Sequence, residues 1–148
     1  MEQNSSMERR VNEESLNLIR WKMNHTPWLE MSTEEVDIAV EEYRRFLVLK
    51  MENPAVTLAP SGIMDKAWHV HILDTRMYSE DCQAMFGRIL HHRPSYDDDG
   101  RQHDLSLAFN DMSRLYSERF GHDPLDMKSG CNTDDDGSAC TGVSCCDG

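Results

Sequence analysis

Apolar residues recur along this chain at helical spacing, three and four residues apart, in four stretches. Residues 12–23, NEESLNLIRWKM, place Leu16, Ile19 and Met23 on one side of a short first helix, which His25-Thr26-Pro27 ends. Ser32-Thr33-Glu34-Glu35 is a capping box, and Val36, Val40, Tyr43, Phe46 and Leu47 follow it at helical spacing up to Glu52-Asn53-Pro54. Ser61 can cap a third helix, predicted over 62–86 and stopped by Gly87. Leu105, Phe109, Met112, Leu115, Tyr116 and Phe120 form the stripe of a fourth helix over 102–120, closed by Gly121. No strand pair and no internal repeat stands out. The pattern predicts an all-α bundle of about four helices over 12–126, with a disordered N-terminus (1–11) and a disordered tail (127–148) rich in Cys, Asp and Gly.

Composition narrows the functional classes. The chain has 148 residues, enough for one domain with a core of its own. With 27 acidic and 15 basic residues its net charge is −12. Such a surface repels phosphate backbones, which argues against nucleic acid as a direct partner, and attracts cations and basic protein surfaces. No apolar run is long enough to span a membrane, and MEQNSSMERRVNEES lacks the apolar core of a signal peptide. The expected location is the cytoplasm, where clustered cysteines point to metal or redox chemistry before disulfides. Nothing in the sequence sets an oligomeric state.

The chemistry concentrates between Trp68 and Pro94, WHVHILDTRMYSEDCQAMFGRILHHRP, which holds four of the seven histidines. On one helix Asp65 and His69, four apart, share a face, a spacing that presents two metal ligands together. His69 and His71, two apart, cannot both ligate one ion from a regular helix. His91 and His92 are adjacent in a connector, where one can fold back and the other must point away. On a continuous helix His71 lies about 16 Å from Cys82, too far to share an ion. Three readings compete: histidines hydrogen-bonded within a core, a metal site, or acid–base catalysis without metal. Cys82 and the apolar residues of this stretch suit a core. Asp97-Asp98-Asp99-Gly100 and Asp134-Asp135-Asp136-Gly137 lack the alternating ligands and closing glutamate of a calcium loop. Cys131, Cys140, Cys145 and Cys146 contain no C-x-x-C pair, so an unstructured tail competes with a soft-metal or redox site.

The order Asp65, Trp68-His69-Val70-His71, Tyr78, Cys82, Gly87, His91-His92-Arg93-Pro94 resembles the glycine-rich domain-containing protein family, whose plant members carry a domain of unknown function numbered 1399. Tyr43-Arg44-Arg45-Phe46-Leu47 and Leu115-Tyr116-x-x-x-Phe120-Gly121 are similar to its flanking helices, so the resemblance spans residues 32–124. It implies a helical fold and a polar site, without a reaction.

The expectation is a non-catalytic binding or regulatory module, holding a divalent metal (zinc, iron or copper) through Asp65, His69, His71 and His91 or His92, and working through metal handling or a protein partner. One alternative is a metal-dependent enzyme, hydrolytic or oxidative, with Tyr78 or a spare histidine as acid or base. The other is an acidic scaffold for a basic protein partner.

Overall fold

The computed structural model of the chain describes residues 10–94, 102–125 and 146–147. The Asn12 side chain caps α1 (Glu13–Asn24), accepting from the amides of Glu14 and Ser15 at 3.0 and 3.3 Å. It thereby satisfies donors that the first turn leaves without helical partners. Leu16, Ile19 and Met23 are buried, and a 3-10 turn over Pro27–Leu29 follows. The capping box opens α2 (Thr33–Glu52): Glu35 N donates to Ser32 Oγ at 3.2 Å, and Ser32 N to the Glu35 carboxylate at 3.3 Å. Its stripe of Val36, Val40, Tyr43, Phe46 and Leu47 forms the centre of the core.

Between 62 and 86 the chain departs from the expected single helix. It forms α3 (Gly62–Leu73) and α4 (Thr75–Phe86), separated at Asp74, whose ψ of 80° lies far from helical values. Asp74 ends one helix and starts the next. Its amide donates to His71 O at 3.2 Å, and its carboxylate accepts from Met77 N at 3.2 Å. An aspartate offers the backbone this local alternative to a continuous ladder. Packing across the break supplies the rest. Trp68, fully buried on α3, donates from Nε1 to the Tyr78 hydroxyl on α4 at 3.0 Å. Tyr78 in turn donates to the carbonyl of Leu90, beyond the end of α4. Gly87 closes α4 with φ of 71°, a conformation glycine adopts without a Cβ penalty.

The last helix, α5 (Gln102–Phe120), rests on α2 and on the 53–61 linker through Ala59 N, which donates to Ala108 O at 3.3 Å. A buried carboxylate fastens it. Glu42 accepts from Tyr116 Oη at 2.6 Å, Arg45 Nη1 at 2.9 Å and Leu125 N at 3.3 Å, and this pairing makes its burial tolerable. The architecture is all-α, with five α-helices among the described residues because the expected third one is split. Its one extended feature among the described residues is a two-residue antiparallel pair, β1 (Arg93–Pro94) with β2 (Cys146–Asp147). No helix among the described residues is long and apolar enough to cross a membrane. The Asp97–Asp99 and Asp134–Asp136 runs, Cys131, Cys140, Cys145 and nearly all of both expected disordered ends lie outside the described residues.

Replacing Tyr78 with Phe leaves the Trp68 donor and the Leu90 acceptor buried without their partner. The expected cost is about 2 kcal/mol, measured by urea unfolding. A loss under about 0.3 kcal/mol would show that the link does not fasten the fold.

Candidate metal centre

Asp65 and His69 lie one helical turn apart on α3, and His69 Nδ1 is 3.3 Å from Asp65 Oδ2. The third member arrives from the connector. Gly87 reverses the chain, Tyr78 holds the Leu90 carbonyl, and His92 is delivered two residues later. The His92 ring packs edge-on to Trp68, with centroids 4.5 Å apart, and lies 4.5 Å from the His69 ring. His92 Nε2 is 2.7 Å from Asp65 Oδ1. One ligand atom from each of Asp65, His69 and His92 falls within 4.8 Å of the others. The Asp65 and His92 side chains are 8% and 6% exposed, whereas His69 is 46% exposed. The cluster therefore has two buried side chains and a third at the surface, on the side open to an ion.

Chemically this is a two-histidine, one-carboxylate set. Imidazole and carboxylate together suit zinc, iron or copper, and three protein donors leave coordination positions open. With imidazole N–H groups donating, the same contacts make a carboxylate bridging two rings, the hydrogen-bonded arrangement that competes with a metal site.

His71 and His91 are not brought to this cluster. His71, 2% exposed, faces the opposite side of α3, since two residues turn a helix by about 200°. Its Nδ1 is 2.7 Å from Tyr43 Oη and its Nε2 is 2.8 Å from Asp81 Oδ2. With Nε2–H donating to the carboxylate and Nδ1 accepting from the phenol, both ring nitrogens are occupied. The expectation of His71 as a ligand is therefore corrected to a buried structural role. Asp81 and Tyr43 escaped the sequence pattern because Asp81 is ten residues from His71, off any helical period. The break at Asp74 folds α4 back and makes that contact, so the straight-helix separation of about 16 Å does not apply. His91 is exposed, and it lines with His92, Ile72 and Ile89 a small cleft of about 340 Å³. Cys82 is a free, fully buried cysteine whose thiol pKa burial pushes up, so it packs as a small apolar residue.

Residues 11–110 match the family model described as UCP032817-like. The chain belongs to that family. No curated protein and no solved structure matches it. The matched span of this UCP032817-like chain includes α1 to α4, all three cluster residues and the Tyr43–His71–Asp81 network, and it stops before Tyr116. Membership in the UCP032817-like family supplies no reaction, so function is argued from the site.

The buried network makes an acid-stability prediction. Burial pushes the Asp81 carboxyl up, but hydrogen bonds from His71, Ser15 and Asn12 outweigh it and hold its pKa below the ordinary value. A carboxylate with a depressed folded pKa adds stability above its unfolded value and loses it as pH falls through the folded one. Stability should therefore fall as pH drops below about 4, the ordinary value of an aspartate carboxyl. Asp81→Asn, less stable at neutral pH, should lose less over that range. Equal losses in urea midpoint between about pH 4 and about pH 2 would contradict this assignment.

Proposed function

We propose that this chain is a non-catalytic metal-binding module that holds one divalent first-row ion, zinc, iron or copper, through Asp65, His69 and His92. The observation that carries the reading is the convergence of one carboxylate and two imidazoles within 4.8 Å, two of the three side chains being buried. A net charge of −12 favours cation uptake. Two buried donors and one at the surface suit an ion that enters and leaves from the His69 side, as regulation or metal handling requires. The chain's likeness to the glycine-rich domain-containing proteins is part of the proposal, on the order of the Asp65 to Pro94 motif alone.

The non-catalytic reading is favoured over an enzyme by Tyr78, the phenol best placed in the sequence to act as acid or base. Its hydroxyl is engaged by Trp68 and Leu90, and burial pushes its pKa far up. A metal-dependent enzyme is the second reading, favoured by the cleft of about 340 Å³ that shares His92 and includes His91.

Metal content of tag-free protein, measured by mass spectrometry on the full chain and on residues 1–126, tests the site. About one equivalent in both forms is expected, lost in His92→Ala and in Asp65→Ala and retained in His91→Ala. Circular dichroism separates ligand loss from unfolding. Metal absent from the folded full chain, or unchanged in folded His92→Ala, would sink the proposal. Metal held by the full chain but missing from residues 1–126 would move the chemistry to the tail cysteines.

A further inference from the structure

A second surface shares no residue with the metal cluster. α1, the 3-10 turn and the Asp74 break border a groove of about 820 Å³. Seven large apolar residues are exposed among the described residues, and four of them, Leu18, Trp21, Trp28 and Leu73, line this groove. Single exposed apolar residues are ordinary, but a contiguous group marks an interaction surface. Trp28 is 71% exposed and Leu73 69%, so neither adds much to the core. Trp21 stacks on His25, with centroids 4.1 Å apart, which holds its ring at the groove wall. Rigid, exposed tryptophans are the side chains that most often anchor protein partners.

Charge selects the partner. Lys22 and Arg76 line the same groove, both exposed and without an ion-pair partner among the described residues. Asp74 is the one carboxylate in the lining among the described residues, and its oxygen is engaged by the Met77 amide. On a chain of net charge −12 this groove is locally cationic. We infer that it docks an amphipathic segment of a protein partner, with apolar side chains seated on Trp21, Trp28 and Leu73 and aspartate or glutamate facing Lys22 and Arg76. An anionic bilayer fits less well, because a broad charged plane meets the whole acidic surface, while a peptide meets only the cationic rim.

Selection from a random twelve-residue peptide display library on the folded full chain tests this inference. Recovered peptides should combine apolar residues with Asp or Glu and quench or shift tryptophan fluorescence on binding. Affinity should fall at least about ten-fold in Trp28→Ser, as for loss of an aromatic anchor, and in the double variant Lys22→Glu, Arg76→Glu. His92→Ala should bind as the parent does, which separates this surface from the metal site. No enrichment would overturn the proposal, as would basic consensus peptides or peptides insensitive to those variants. So would capture of the full chain by phosphatidylserine vesicles through Trp28, which would make the groove a membrane contact.

Discussion

The rest of the structure depends on one interruption and the contact that spans it. Asp74 stops α3, and Trp68 on one side of the break donates to Tyr78 on the other. Tyr78 passes the connection to the Leu90 carbonyl, and that carbonyl positions the connector carrying His92. A buried hydroxyl that both accepts and donates leaves neither neighbour without a partner, so moving one part costs hydrogen bonds in the others. Were α3 and α4 one helix, Tyr78 would rise away from Trp68 by about 15 Å, and nothing would hold His92 over Asp65.

Two histidines on opposite faces of α3 have different duties. His71 points inward and spends both nitrogens on Tyr43 and Asp81, tying α3 to α2 and α4. His69 points outward, where its exposed ring shares Asp65 with His92. One residue lies between them. A Trp-His-x-His sequence on a helix therefore serves a core and a surface site at once, and Trp68 supports both by packing on Phe46 and on His92.

Much of this was legible in the sequence. The capping box at Ser32, the serine cap at Ser61 and the glycines at 87 and 121 marked helix ends because each has a local physical cause. Asp65 and His69 could be paired from spacing alone, and a returning histidine from the connector was foreseen without deciding between His91 and His92. The split at Asp74 was hidden, since no glycine or proline marks it and the apolar period runs on. Its local signal was an aspartate three residues ahead of Met77, the amide it caps, a spacing equally common on helix surfaces. Asp81 was out of reach for the same reason, because its contact with His71 exists only after the chain has folded back, and the Tyr43 contact depends on how α2 packs against α3.

X-ray absorption of the zinc-loaded full chain reads the ion's donors directly. Coordination by Asp65, His69 and His92 gives a nearest shell of nitrogen and oxygen at about 2.0–2.1 Å, with the outer scattering of two imidazole rings. A sulfur shell at about 2.3 Å would place the ion on the tail cysteines. A shell without imidazole scattering would leave Asp65, His69 and His92 as a hydrogen-bonded cluster only.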